Sequence, residues 1–265
     1  MKLNELTGLK STLTSGAVVQ QVGENTWRLE IPTGPKGKYR VAQLDDYGSS
    51  PRESFAWKAP MRLSALARAS APELPGTWGL GLWNNPFGMA ILQGVEVLRL
   101  PTLPNAAWFF FASPPNHLSL RNDLPGVGAL ASTFCSPRIP TPLLLLGAPF
   151  LPLLYIPGAA SLVRRMGRRV IKQDAVSLTH PPTDWHTYEI EWKLESVSFA
   201  VDGQSVFETQ IVPEGPLGLV IWVDNQYASL PPKGRPAFGT LANPEPAWIE
   251  ISEIKVQRLP VSSPA

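Results

Sequence analysis

The sequence predicts an all-β sandwich, and three observations favour that fold class. Apolar and polar residues alternate with the period of a half-buried strand in many short segments, most clearly over 184–203. Turn residues recur every 8–12 residues or so, and helical periodicity is almost absent. The chain has 265 residues, 44% of them hydrophobic, so we expect one large β domain spanning 1–265.

The segment 184–203 (DWHTYEIEWKLESVSFAVDG) predicts most of a three-stranded antiparallel meander. Alternation over Tyr188–Trp192 gives the first strand, and alternation over Val197–Val201 gives the second. Asp202–Gly203 supplies a tight turn into a third strand, since glycine accepts positive φ and aspartate tolerates it.

Other segments predict further strands on both sides of this meander. The closing segment, Trp248–Leu259, holds two alternating apolar sets split by a bulge near Ser252. The remaining expected strands are 26–31 with its hairpin partner 39–44, two short pieces within 55–69, then 94–100, 106–113 and 217–224.

Two segments are rich in aromatic residues. In 76–85 (GTWGLGLWNN), Trp78 and Trp83 either pack in the core over glycines or form a platform at a cleft, with Asn84 at its rim. In 106–113 (AAWFFFAS), Trp108 and Phe110 share one face. A strand that is apolar on both faces lies in the middle of a sandwich or turns one face into a covered groove.

Composition and charge exclude several function classes. The net charge of +2 argues against a nucleic-acid partner, and the single cysteine excludes an internal disulfide and a multi-cysteine metal site. The histidines lack ligand spacing and no glycine-rich phosphate loop is present, so we expect neither metal nor cofactor. The first 25 residues lack a signal pattern, which predicts a cytoplasmic protein.

Three phrases together resemble glycoside hydrolase family 16 of the concanavalin A-like lectin/glucanase group. They are GTWGLGLWN, then DWHTYEIEWKLESVSFAVDGQSVF, then WIEISEIKVQRL. The resemblance covers roughly 20–120 and 180–260 and implies a jelly-roll of two curved antiparallel sheets. It also implies a sugar cleft on the concave sheet.

The catalytic motif of that family is not retained by this comparison. The family motif is Glu-Xaa-Asp-Xaa-(Xaa)-Glu, and its best match here is 93–99 (QGVEVLR). Gly94 then stands at the nucleophile position, Glu96 replaces the central Asp, and Leu98 or Arg99 occupies the acid/base position. Retaining chemistry needs two carboxyl groups about 5–5.5 Å apart, so we do not expect a glycosidase of this mechanism.

The segment 121–180 reads as an insertion within the sandwich. Its uncharged run 143–163 contains three prolines and is flanked by strands of the same sandwich, so a membrane span is rejected. The stretch 162–172 predicts a basic amphipathic helix that serves as a structural cap or lid, as a contact for an anionic membrane, or as a site for a protein partner. Its candidate contact residues are Leu162, Arg164, Arg165, Met166, Arg168 and Arg169.

The remaining candidates complete two main hypotheses. Trp222, Asp224 and Asn225 end a strand in a pattern suited to sugar hydroxyls, although polar strand ends are common, and His186 is either structural or an acid/base. The first hypothesis is a non-hydrolytic module that binds a glycan, glycolipid or other amphipathic small molecule in an aromatic cleft. The second is an enzyme that uses Glu96 as a lone general acid/base, with a residual glycosidase as a third option.

Overall fold

Two seven-stranded antiparallel sheets pack face to face in the computed structural model. The structure describes residues 8–14, 16–48, 50–86, 100–124, 126–140, 143–144, 155–156, 159–232 and 235–260. In this part of the chain there is one long α-helix, α1 (Ala159–Val170), and a 3-10 turn at Arg52–Ser54. The all-β sandwich with a short helical segment is confirmed.

Strand order alternates between distant parts of the sequence in both sheets. The first sheet runs β1 (Lys10–Leu13), β4 (Val41–Asp45), β13 (Gly218–Asp224), β6 (Thr77–Trp83), β7 (Ala106–Ala112), β8 (Gly128–Cys135), β9 (Lys172–Ser177). The second runs β12 (Gln204–Thr209), β11 (Val197–Val201), β10 (His186–Trp192), β5 (Met61–Ala69), β16 (Ala247–Arg258), β3 (Thr26–Ile31), β2 (Val18–Gly23). A separate ribbon pairs β14 (Gln226–Ser229) with β15 (Ala237–Thr240).

The main core lies between the two sheets and is built from the inward set of each alternating strand. Trp78 of β6 stacks on Phe111 of β7 with ring centroids 3.6 Å apart. Tyr188 of β10 crosses from the second sheet and meets Phe109 edge-on at 4.9 Å. Such aromatic pairs add about 0.5–1.5 kcal/mol beyond the burial of their area, so they help to fix the two sheets against each other.

The outer face of the second sheet carries a nearly buried carboxylate between two arginines. Glu250 of β16 accepts hydrogen bonds from Arg28 at 2.6 Å and from Arg68, whose nearest guanidinium nitrogen lies at 2.7 Å. Burial acts to raise the pKa of Glu250, but the hydrogen bonds and charges of the two arginines outweigh it and lower that pKa. The three side chains tie β3, β5 and β16 together.

The predicted meander and closing strand agree with the structure. Strands β10, β11 and β12 pair in order, and Asp202 takes the positive φ of 51° that the tight turn requires. In β16 the register with β5 shifts between Ser252 and Lys255, where Glu253 has a φ of 49°. The bulge expected near Ser252 is therefore confirmed.

Two expectations about strand pairing are corrected. Segment 39–44 does not form a hairpin with β3, because the chain crosses after Ile31 and β4 joins the first sheet between β1 and β13. The expected insertion 121–180 contains β8 and β9, which belong to the first sheet, so it is not one continuous insertion outside the sandwich. In the described residues, no helix is both long and apolar enough to cross a bilayer.

Candidate functional site

A second apolar cluster covers the face of the first sheet that points away from the second sheet. Strands β6, β7, β8 and β13 supply it with every second side chain, and loops after β4 and β7 close over its edges. We call its ring-bearing members the aromatic face. They are Tyr47, Phe55, Trp83, Trp108, Phe110, Phe134 and Trp222.

The rings of the aromatic face form one continuous contact network. Trp222 stands at its centre, with ring centroids 5.7 Å from Trp108, 6.0 Å from Phe110 and 6.4 Å from Trp83. Trp83, Phe110 and Trp222 are buried, whereas Trp108 and Phe134 are half-buried. The layer is therefore most accessible to solvent at Trp108, which touches Phe110 and Phe134 as well.

Two glycines of β6 create the space in which the tryptophans lie. A Cβ at Gly79 would stand 2.3 Å from the carbonyl oxygen of Phe109 and 2.7 Å from Cη2 of Trp222. A Cβ at Gly81 would stand 2.5 Å from the backbone of Trp108. The sequence left open whether the tryptophans pack over glycines in the core or form an aromatic platform. In the structure, rings do pack over the glycines, but they do so on the outer face of the sheet.

The carboxylate of Asp224 supports Trp222 through a threonine. Trp222 Nε1 donates to Thr77 Oγ1 at 2.9 Å, and Thr77 Oγ1 donates to Asp224 Oδ1 at 2.8 Å. Burial raises the pKa of Asp224 to about 7, although hydrogen bonds from Thr77, Gln226 and Tyr39 act in the opposite direction. Asp224 therefore exchanges its proton near neutral pH.

A second carboxylate, Asp45, lies on the same face and supports Trp83. Gln43 Nε2 donates to Asp45 Oδ2 at 2.9 Å and to the Tyr47 hydroxyl at 3.2 Å, which also accepts from Trp83 Nε1 at 2.9 Å. Asp45 pairs with Val220, four residues before Asp224 along β13. At about 3.3 Å per residue, the backbone positions of Asp45 and Asp224 are roughly 13 Å apart along the sheet.

Three predicted ligand residues are held in structural contacts. Trp78 points into the core between the sheets, which corrects the expectation that it shares a platform with Trp83. The Asn84 amide donates to Leu103 O at 2.8 Å and accepts from Asn105 N at 3.1 Å. Asn225 is fully buried, and its amide joins segments 38–40 and 241.

A polar pocket of about 310 Å³ lies where β6 ends and β7 begins. Its described lining includes Asn84 and Asn105 from the strand ends and two carboxylates, Glu53 and Glu214. Arg138 approaches Glu214 at 3.9 Å. The pocket therefore offers hydrogen-bonding groups at this end of the two strands.

The two tentative catalytic residues are not brought together within the described structure. Glu96, with Gly94 and Arg99, lies outside the described residues, so its role stays a prediction. His186 begins β10 in the second sheet, where Nδ1 is hydrogen-bonded to Asp202 at 2.7 Å. His186 is thus placed at the end of the sandwich, in a different sheet from Trp222.

Helix α1 has its basic and apolar residues arranged differently from the expectation. Helical geometry groups Arg164 with the other arginines, but Arg164 is only 5% exposed and bonds to carbonyl oxygens of two loops. A structural cap would have packed Leu162 and Met166 inward, but both are exposed together with Arg165, Arg168 and Arg169. The structure therefore contradicts the inward packing that this one alternative requires.

The chain folds as a sandwich of two antiparallel sheets, and part of its sequence is similar to glycoside hydrolase family 16. The family model described as "Glycosyl hydrolases family 16" matches residues 155–213, which include the meander. The resemblance read from the sequence is thereby confirmed. No curated protein sequence matches the chain.

Solved structures agree with this fold. A glycoside hydrolase family 16 endo-glucanase from Bacteroides ovatus has a TM-score of 0.50 at 9% identity and covers 94% of each chain. A glycoside hydrolase family protein from Mycobacterium thermorestibile has a TM-score of 0.49 at 11% identity over 90% of this chain and 78% of that one. A legume lectin-like domain from Entamoeba histolytica has 0.47 at 10% identity over 97% and 92%. Of these, only the endo-glucanase, with a TM-score of 0.50, supports the fold, and at 9% identity it shows the fold alone.

Several residues of the site escaped the sequence reasoning. Tyr47 and Phe55 flank an irregular loop, and Phe134 lies on β8, a strand that the sequence analysis absorbed into the insertion. Thr77 precedes Trp78 and gave no signal of its own. A period-two test on 128–135, which alternates Leu130, Ser132 and Phe134 on one face, would have revealed β8.

Proposed function

We propose that this protein is a non-hydrolytic binding protein of the lectin/glucanase fold, with the aromatic face as its ligand site. The fold is one that family 16 enzymes use for glycans, so a glycan or glycolipid is the proposed ligand class. One observation carries the proposal. The outer face of the described first sheet offers a continuous aromatic network, and the Asp45 and Asp224 carboxylates on that face are held by Gln43 and Thr77 as supports of the rings.

The apolar character of the face favours an amphipathic ligand over a long hydrophilic glucan. Trp222 and Trp83 use their indole N–H groups on Thr77 and Tyr47, so these rings present apolar surface and keep their donors for the protein. The pocket at the start of β7, with Glu53 and Glu214 in its lining, would take the polar end of such a ligand. An alkyl or lipid chain would then lie toward Trp108.

The test combines binding with hydrolysis. Tryptophan fluorescence is titrated with an alkyl glycoside below its micelle concentration and with a soluble β-glucan tetrasaccharide, and reducing ends are assayed on soluble β-glucans. We expect saturable binding of the alkyl glycoside, weaker binding of the tetrasaccharide and no release of reducing ends. Strong lipid-independent binding of soluble glucans, or release of reducing ends, would contradict the proposal.

A matched pair of variants locates the site. Trp108→Ala should lower the affinity for the alkyl glycoside by about 5- to 150-fold, because one stacked ring contributes roughly 1–3 kcal/mol when buried. Trp248→Ala removes a half-buried tryptophan from β16 of the other sheet and should leave the affinity unchanged. Equal losses in the two variants would place the ligand elsewhere.

The pKa of Asp224, raised to about 7 by burial, favours one alternative, an enzyme that performs proton transfer on an apolar substrate. Glu96 is the other candidate group for this chemistry. If the alkyl glycoside is turned over, and Glu96→Gln or Asp224→Asn stops turnover without weakening binding, this alternative replaces the binding function.

We further propose that the protein binds its ligand at a membrane surface and is therefore a peripheral membrane protein. The support is the exposed apolar and basic surface of α1. Fractionation of cells that express the full chain tests the location. Recovery of the protein only in the soluble fraction, at low salt as well as at high salt, would contradict it.

A further inference from the structure

We infer that helix α1 docks the protein on an anionic lipid bilayer, and that Arg164 fixes the helix so that its apolar stripe faces outward. This deepens the membrane part of the proposed function by naming the surface and the charge of the lipid. It does not depend on which ligand the aromatic face takes.

Arg164 fixes the rotation of the helix about its axis. Its guanidinium donates to the carbonyl oxygen of Leu230, to Ser119 O at 3.1 Å and to Leu120 O at 3.2 Å. The Asn122 side-chain oxygen lies 3.3 Å from the same nitrogen. A buried cation bonded to oxygens of two separate loops holds one side of the helix against the protein, since turning the helix would break these bonds and leave the loop carbonyl oxygens without their donor.

With Arg164 inward, the apolar side of the helix faces outward. Leu162 is 55% exposed, Met166 58% and Val170 40%, and their spacing of four residues places them on one stripe. Surface helices normally turn such a stripe toward the core. The same segment of the chain also exposes Tyr155 and Ile156.

The charges beside the stripe select an anionic surface. Arg165, Arg168 and Arg169 are exposed, the first turn has no acidic residue, and among the described residues no carboxylate pairs with these arginines. An exposed apolar stripe flanked by arginines is the pattern of helices that lie in the interface of anionic membranes.

A second copy of the chain is a poorer occupant of this surface. A two-fold interface would bring the same patch of both copies together and would place the three arginines of one copy near those of the other. Like charges at such a contact are unfavourable. An acidic protein would satisfy the arginines, and the experiment below separates it from lipid.

The experiment is flotation of the full chain with vesicles of phosphatidylcholine alone or with 30% phosphatidylglycerol. We expect binding only with phosphatidylglycerol, weakened by 0.5 M salt. Arg165→Gln, Arg168→Gln and Arg169→Gln combined should weaken binding about 100-fold, at roughly fivefold per charge near the surface. Leu162→Ser with Met166→Ser should weaken it about tenfold.

The control is a triple variant of the same charge change elsewhere: Lys36→Gln, Lys58→Gln and Arg258→Gln, all exposed. It should bind as the unchanged protein does. The inference is overturned if no vesicle binds, if the control loses as much as the helix triple, or if the serine variants bind normally. It is also overturned if sedimentation shows a dimer that the helix variants dissolve while vesicles remain unbound.

The proposed ligand site is tested separately from membrane binding. Trp108→Ala should keep vesicle binding while losing the alkyl glycoside, and the arginine triple should keep the alkyl glycoside. Failure of either binding step alone therefore rejects one proposal and leaves the other standing. Unchanged melting temperatures confirm that each variant is folded.

Discussion

Replacing Gly79 by alanine tests whether the aromatic face depends on the empty space above β6. The new Cβ would stand 2.3 Å from Phe109 O and 2.7 Å from Trp222 Cη2, where ordinary contacts begin near 3.4 Å. The backbone or the indole must therefore move by roughly 1 Å. Overpacking of this kind costs about 1–3 kcal/mol, which lowers the melting temperature of a chain this size by about 2–12 °C.

The matched control makes the same chemical change in helix α1. A Cβ at Gly167 meets no atom within 4 Å, so Gly167→Ala should stabilise the protein by roughly 0.5–1 kcal/mol through helix propensity. Thermal unfolding followed by far-UV circular dichroism compares the two variants, and tryptophan fluorescence reports the displacement of Trp222. The opposite signs separate steric conflict from a general effect of alanine.

A double variant keeps the reasoning testable even if Gly79→Ala folds poorly. Because Trp222→Ala removes one of the two conflicting groups, Gly79→Ala should cost less in that background than alone. A Gly79→Ala protein as stable as the unchanged chain, with unaltered fluorescence, would refute the claim that this glycine positions Trp222.

The remaining predictions concern two carboxylates. For Asp224, the pKa near 7 in the folded protein against 3.8 in the unfolded chain means that stability is fully present below about pH 4 and is lost as the pH rises to about 7. That loss is of the order of 4 kcal/mol, and Asp224→Asn should abolish it. Chemical denaturation should therefore show that, between pH 4 and pH 7, the free energy of unfolding of the variant rises relative to that of the unchanged protein. Parallel pH profiles of the two proteins would contradict this. Glu250→Ala should destabilise by about 3–5 kcal/mol because it leaves Arg28 and Arg68 without their carboxylate, whereas the exposed Glu253→Ala should cost under about 0.5 kcal/mol.

Strands with clean alternation could be predicted from the sequence, and those with mixed burial could not. The meander from Tyr188 to Val201 has one face in the core and one in solvent, so its period is visible. Strand β6 is buried on both faces, and its glycines carry no hydropathy signal. The opposite directions of Trp78 and Trp83 therefore follow only from counting the five-residue step between them along an alternating strand.

Some residues of the candidate site were predictable from the sequence, but their contacts were not. Trp108, Phe110 and Trp222 were assigned to the same kind of surface, and they do meet. Asn225 was assigned as a ligand residue because strand-end amides often bind sugars, yet its partners at 38, 40 and 241 are distant in sequence. The burial of Arg164 likewise depends on loop carbonyls at 119, 120 and 230, which no helical wheel contains.

The position of Trp222 over Gly79 also means that removing its side chain would create a binding cavity for a free heterocycle. Truncating Trp222 to glycine would leave a void with the outline of an indole, bounded by the rings of Trp83, Trp108 and Phe110 and supplied with a hydrogen-bond acceptor, the hydroxyl of Thr77. Apolar cavities of this size in other proteins bind small aromatic molecules. Added indole would then replace the missing side chain reversibly. The fraction of molecules with a complete aromatic face would be set by the indole concentration.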